Sequence, residues 1–471
     1  MNKNKFVTND YSNVDICNNK QSNNEFNSES FISDMLEINN KKLEDLSKDN
    51  SNLIIFGNER VKKEKDDATS SVIFSINDTQ KTISTYGVVG FIGYKNSMLT
   101  IKSSFEDNKE DYFFHYMLSK VFAVNMVDMP HDTSHDKNFS FYIYLFKYFF
   151  LKAIKQGIFK KYEYKKYNDS KPKGTIDFDR YIKYDIPFNG KIAYSTKEYS
   201  ENNSMIHLIR HTIEYISLEK NHSFLFQDKE LREFVNTIKI ITPNYSKNHR
   251  EKIIQKNLKP LYHPYYFQYE DLRKLCISIL KQEELKYSSN NNEIYGILFN
   301  SYWLWEEYLN TILKNHSFIH PENIQSSGGI YLLLNNKWKA YPDFYSEKQK
   351  CVIDAKYKKS YSDLGKIENR SDRFQILSYM YVLESNIGLL LVPSSDESLY
   401  ESDKVIDSSE VNFFSNSDSV NKENSQKHKN VVGLYRFYIP KNCSSMNEFR
   451  EKIFFSENIL VKNISSEFKY L

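Results

Sequence analysis

The sequence predicts a multi-domain α/β protein, and three observations predict it. The chain has 471 residues, enough for two or three domains that each bury a core. From about residue 291 onward its patterns run helix, strand, strand, strand, helix, strand. Ahead of that block lie a short alternating stretch and then a long, mainly helical one.

Taken in order, residues 1–50 are rich in Asn, Ser, Lys and Asp and poor in aliphatics. That composition predicts a disordered or appended tail. Residues 51–105 alternate apolar and polar side chains around Gly87, Gly90 and Gly93, which suggests a small β unit with bends at its glycines. Residues 111–280 carry helical periodicity at 112–127, 139–161 and 204–218. Within that region, 155–174 interleaves Lys with Tyr162, Tyr164 and Tyr167. Such a tract can track phosphates and stack on bases, but a Lys-rich loop joining helix to strand is the favoured reading. Beyond 291, EIYGILFNSYWLWEEYLNTILKN (293–315) reads as one amphipathic helix. IGLLLVP (387–393) reads as a buried strand, 394–430 as a polar inserted loop, 433–440 as a strand and 447–459 as a closing helix.

The chemistry concentrates in AYPDFYSEKQKCVIDAKYKK (340–359). Asp343 follows a proline, and Asp354 and Lys356 follow on an apolar run as D-x-K. Aromatic and β-branched residues on both sides favour strands, with room for a turn between the two aspartates. Residues two apart on a strand face one side, so two carboxylates and an ammonium would converge. Hard oxygen ligands suit Mg²⁺, which also reaches phosphate oxygens. A nearby Lys can orient or help deprotonate the attacking water. This is the PD-(D/E)xK nuclease signature; taken alone, the short pattern also suits a surface hairpin with ordinary charges. The neighbouring helix carries Glu306 and Glu307 beside Trp303, Trp305 and Tyr308, and Gln375 and Tyr379 share one face of the next helix. Glu306 is a candidate further ligand, with a solvated helix face as the alternative.

With these motifs, four blocks stand in order: YGVVGFIG (86–93), DYFFHYMLSKVF (111–122), KGTIDFDRYIK (173–183) and KIAYSTKEYSENNSMIHLIRHTIEYI (191–216). Together they resemble the McrC family, the nuclease subunits of McrBC restriction systems that act at 5-methylcytosine. The likeness runs from about residue 82 to about 460; residues 1–50 and the insertion after Pro393 have no counterpart. It implies a carboxyl-terminal PD-(D/E)xK, restriction-endonuclease-like domain (291–471) and a motor-docking region (51–280). It implies that Asp343, Asp354, the Ala355 carbonyl and Glu306 bind Mg²⁺. Lys356 then positions water, and Gln375 and Tyr379 belong to the Q-x-x-x-Y that supports the site. It further implies double-stranded DNA as substrate and an McrB-like AAA+ GTPase oligomer as partner, with GTP bound by that partner and not by this chain. Two other readings are a restriction endonuclease that reads a defined sequence without such a motor, and a non-enzymatic assembly subunit.

Composition narrows the classes. The net charge of +3 comes from 64 basic and 61 acidic residues, too balanced to argue for nucleic acid except through local patches. Neither GxxxxGK[ST] nor GxGxxG occurs, so no phosphate loop is present. The four cysteines, Cys17, Cys276, Cys351 and Cys443, are scattered without a C-x-x-C, which suggests a reducing cytoplasm. The amino terminus has no apolar core of a signal peptide. Lysines interrupt the apolar stretch at 139–159 before it could span a membrane. His207 and His211 have the spacing of helical metal ligands, but no third ligand accompanies them, and packing is the favoured role.

Overall fold

The structure is a computed structural model. It describes residues 4–18, 26–43, 45–46, 50, 53–57, 72–105, 111–122, 136–218, 229–287, 294–321, 329–333, 338–359, 361, 364–366, 370–400, 405–411 and 430–465. Several sheets and, among the described residues, eleven helices make it a mixed α/β chain. It divides into two compact units, Met1–Asp128 with Asn292–Leu471, and Met129–Asn291.

The first unit contains two five-stranded sheets. One is built by β1 (Asn4–Asn9), β2 (Leu53–Phe56), β3 (Val88–Tyr94), β4 (Ser97–Lys102) and β5 (Tyr295–Asn300), in spatial order β1-β4-β3-β5-β2. This arrangement corrects two expectations. Residues 1–50 are not wholly a tail: β1 pairs parallel with β4, and Phe6 and Phe31 are fully buried with Ile16 and Met35 in the core beneath. Ile32, Ile38, Leu43 and Leu46 join the same core, so most of the few aliphatics of this stretch are buried. Likewise 293–315 is not one helix. After α1 (Ser28–Leu36) and α2 (Tyr112–Val121) earlier in the chain, YGILFN forms β5, and the helix α3 (Ser301–Leu313) starts only after Asn300, whose side chain accepts from the amides of Tyr302 and Trp303. Because β5 lies between β3 and β2, the carboxyl-terminal region expected to stand apart supplies a strand to the amino-terminal sheet. The close approach at this seam requires glycine. Gly90 and Gly296 have φ of +127° and +154°, and a Cβ on either would sit 2.2 Å from a carbonyl oxygen of the opposite strand.

The second sheet carries the candidate chemistry. Its strands are β6 (Phe344–Ser346), β7 (Cys351–Ala355), β8 (Ile387–Ser394), β9 (Ile406–Glu410) and β10 (Val431–Tyr438), in order β6-β7-β8-β10-β9. β7, β8 and β10 are parallel, and the edge strands β6 and β9 are antiparallel. α4 (Arg370–Val382) connects β7 to β8 as a parallel crossover. Alternation assigns the two faces. Val352, Leu390, Val392 and Leu434 pack with Ile376, Tyr379 and Met380 of α4. On the other face Phe437 meets Trp305 of α3 at 5.7 Å between ring centroids. Part of the expected 394–430 loop is thus the ordered edge strand β9; 412–429 lie outside the described residues. The closing helix runs Met446–Ser465.

The second unit combines helices with a three-stranded sheet. The Lys/Tyr tract expected as a loop contains the strand Lys161–Asp169, paired antiparallel with Ile192–Ser200. Three of its lysines are held at 3.0 Å by acids: Lys160 by Glu201, Lys161 by Glu163 and Lys165 by Glu198. Those pairings reduce the charge such a tract could offer phosphates. His207 contacts the Asn202 side-chain oxygen at 2.7 Å, and buried His211 packs against Tyr245 with the rings tilted. Among the described residues no helix is long and apolar enough to cross a membrane.

Candidate active site

The site forms at the carboxyl end of β7, on the face covered by α4. Every residue of β7 is buried, as expected for a central strand of a parallel sheet. Asp354 shares a register row with Leu390 of β8, so its carboxylate enters the layer under α4. Lys356, just past the strand, returns its ammonium to within 2.9 Å of an Asp354 oxygen. Asp343 immediately precedes β6, and its carboxylate accepts the Ala355 N–H at 2.8 Å. The backbone between the two D-x-K residues is thereby clamped to the first aspartate.

α4 completes the arrangement. The Gln375 side-chain oxygen accepts from Lys356 Nζ at 3.0 Å, and its amide donates to the Tyr379 hydroxyl at 3.2 Å. The expected i, i+4 pair therefore acts as a chain ending on Lys356. The sequence pattern alone does not single out Asp372, which lies in the first turn of the same helix. It is 4% exposed, and one oxygen lies 3.7 Å from Lys356 Nζ. Its other oxygen accepts from Lys358 Nζ at 2.7 Å and from the Tyr361 hydroxyl. The available signal was the three-residue offset to Gln375, which sets both on neighbouring turns.

Burial raises the Asp354 pKa, the Lys356 ammonium opposes that shift, and the Asp343 and Asp372 carboxylates add to it. Burial alone would lower the Lys356 pKa. Asp354, Asp343 and Asp372 reverse that and raise it, so the ammonium stays charged. Asp372 is lowered despite its burial, by Lys356, Lys358 and Tyr361. Burial raises the Tyr379 hydroxyl to about 12, leaving it a neutral partner.

Nor does the pattern single out His320. It stacks on Phe344 with ring centroids 4.7 Å apart, and its Nδ1–H donates to the Asp343 carbonyl at 2.6 Å. Its other nitrogen lies 3.8 Å from Glu307. Glu307 is half-buried beside His320, whose ring holds the Asp343 carbonyl. Glu306 is buried on α3, the helix that covers the opposite sheet face through Trp305. Among the described residues no three His, Cys, Asp or Glu side chains form a group able to hold a metal. What the fold brings together is the Asp343–Asp354 pair, with Lys356, Gln375, Tyr379 and Asp372 around it.

The model of the McrBC 5-methylcytosine restriction system component matches residues 83–393, more than half of the chain. The chain belongs to the McrBC family. No curated protein matches it significantly. Two solved McrBC structures, both from Thermococcus gammatolerans, are similar to it. The refined half-complex from the tetradecameric assembly of McrB AAA+ hexamers with bound McrC is 14% identical, covers 97% of this chain and 99% of that one, and has a TM-score of 0.48. The cryo-EM structure of the McrBC complex is 13% identical, covers 66% and 88%, and has a TM-score of 0.35. The McrBC match includes Asp343, Asp354, Lys356, Gln375 and Tyr379.

Proposed function

We propose that this McrBC-family chain is the Mg²⁺-dependent endonuclease subunit of a restriction complex, cutting modified double-stranded DNA. In this reading the β6–β10 sheet with α3, α4 and the closing helix is a PD-(D/E)xK domain. One observation carries the proposal: Lys356 Nζ lies 2.9 Å from the Asp354 carboxylate, beside a backbone amide that fixes Asp343. Buried carboxylates and an ammonium drawn together at a sheet end are costly unless used.

The donor set fits a hard cation. Mg²⁺ is commonly held by one or two carboxylates together with waters and substrate phosphates. Asp343 and Asp354 would hold it, with the Ala355 carbonyl as a further oxygen. When bound, the metal supplies a more acidic water and offsets charge building on the phosphate. Lys356, kept protonated by its carboxylate neighbours, serves as a donor that orients the nucleophile and the phosphate oxygen rather than as the base. Gln375 fixes the ammonium and Tyr379 fixes Gln375. His320 holds the Asp343 backbone, a supporting role of the kind that tunes ligand orientation.

Family membership supports a partner that supplies GTP binding and hydrolysis, because this sequence carries no phosphate loop. That partner would be an McrB-like AAA+ GTPase oligomer whose turnover this chain stimulates. The test is cleavage of 5-methylcytosine and plain DNA by the full chain with such a motor, GTP and Mg²⁺. Modified DNA should be cut and plain DNA spared. Asp343→Ala should stop cutting while the motor's GTP turnover stays stimulated. A folded Asp343→Ala protein that still cuts would remove the assignment.

A further inference from the structure

We propose that Asp372 is a positioning residue for Lys356, holding the ammonium between two carboxylates so that Asp354 keeps an oxygen for the metal. The proposal rests on the nuclease reading above. An ammonium has three donors and no acceptor. Lys356 donates to Gln375 at 3.0 Å, forms an ion pair with Asp354 at 2.9 Å and faces Asp372 at 3.7 Å. The side chain is thereby held from three directions. Asp372 can do this because its own geometry is locked. Its far oxygen accepts from Lys358 at 2.7 Å and from Tyr361, which leaves the near oxygen turned to Lys356. Asp372 and Tyr361 are buried under α4, 4% and 5% exposed, while Lys356, Lys358 and Gln375 are half-buried around them.

Charge balance gives the reason for the second acid. With Asp354 alone, the buried ammonium would close fully on that carboxylate and compete with a cation for it. With Asp372 opposite, Lys356 is shared. Asp372 never touches the reacting atoms; it acts through Lys356.

Asp372→Asn keeps shape and removes charge. Supporting residues of metal sites typically change metal affinity or activity by about 10- to 100-fold. The full-length Asp372→Asn protein, without DNA or motor, should bind Mn²⁺ about 10-fold more weakly by electron paramagnetic resonance titration. With the motor and GTP, cleavage should fall by about 10- to 100-fold, mainly in kcat, while DNA affinity in Ca²⁺ holds. Asp372→Glu should recover part of both losses. Mn²⁺ binding and cleavage equal to the unsubstituted protein would overturn the proposal. If Asp372→Asn does not fold, Tyr361→Phe carries the test, because it removes one of the two bonds that lock the far oxygen and leaves the charge in place. It should weaken Mn²⁺ binding several-fold, and no change overturns the role. Asp354→Ala, run alongside, separates the two claims. If it is inactive while Asp372→Asn is normal, only the positioning role falls. If Asp354→Ala also binds Mn²⁺ and cuts normally, the nuclease reading itself falls.

Discussion

Asp354 and Asp10 are both buried, yet the fold surrounds them differently. Asp354 has an ammonium at 2.9 Å and two further carboxylates near it. Asp10, at the end of β1, receives the Ser301 hydroxyl at 3.0 Å and a Ser104 bond, with Asp111 as its acidic neighbour. Burial, its dominant influence, pushes the Asp10 pKa to about 7. Tyr357 links the two centres. Tyr357 follows Lys356, and its hydroxyl shares a 2.9 Å hydrogen bond with Ser103 beside Asp10. The contrast teaches what a counter-ion does for a buried acid. At the Asp354 centre charge is gathered and held, ready for a cation and a phosphate. At the Asp10 centre hydroxyls and the Ser104 backbone N–H, with no counter-ion among the described residues, hold a carboxyl that is easily neutralised, and it joins β1 to the start of α3.

The largest expected effect breaks the contrast from the catalytic side. Asp354→Ala should lower cleavage on the order of 10³-fold or more, since metal stabilisation is worth several kcal/mol. Its circular dichroism should match the parent. Near-normal cutting by that folded variant in Mg²⁺ would count against the whole site. Next, His320→Ala should cost about 10-fold in cleavage through a looser Asp343, read as kcat at saturating DNA; an unchanged kcat removes His320 from the site. Asp10→Ala should act in the opposite sense. It should reduce unfolding free energy by about 1–3 kcal/mol by stranding buried hydroxyls, and leave kcat of the folded protein alone. A loss of kcat without a loss of stability would show the two centres to be coupled through Tyr357.

A subtler test uses pH. Asp10 binds its proton more tightly folded than unfolded. Its stabilising contribution is therefore complete below the unfolded value near 4 and is lost as pH rises to about 7. Asp10→Asn removes that loss. Denaturant melts should show the parent losing more stability than the variant between pH 5 and pH 8. Parallel curves would mean that Asp10 is already ionised when folded. The smallest change should come from Glu307→Gln. Its contact with His320 is 3.8 Å and partly exposed, so the cost in stability should stay within about 1 kcal/mol.

The sequence by itself determined the elements that carry local periodicity and the residues they place together. D-x-K spacing on an apolar run put Asp354 and Lys356 on one side, and they meet at 2.9 Å. Four-residue spacing put Gln375 and Tyr379 on one helical face, and their side chains bond at 3.2 Å. Such relations repeat every two or every 3.6 residues, so nearest neighbours encode them. Only the tertiary structure decided the rest. Residues 295–300 look helical in isolation, but the open position between β3 and β2 makes them a strand. Phe6 and Phe31 stand in a polar stretch, yet β1's pairing with β4 carries Phe6 into the core, where Phe31 of the helix Ser28–Leu36 packs on it. Asp372 reads as an ordinary acid in a first helical turn until the β7–α4 crossover brings it against Lys356. Pairing between distant segments follows from which edges and faces remain uncovered after local structure forms. That is a property of the assembled layers and not of any window of the chain.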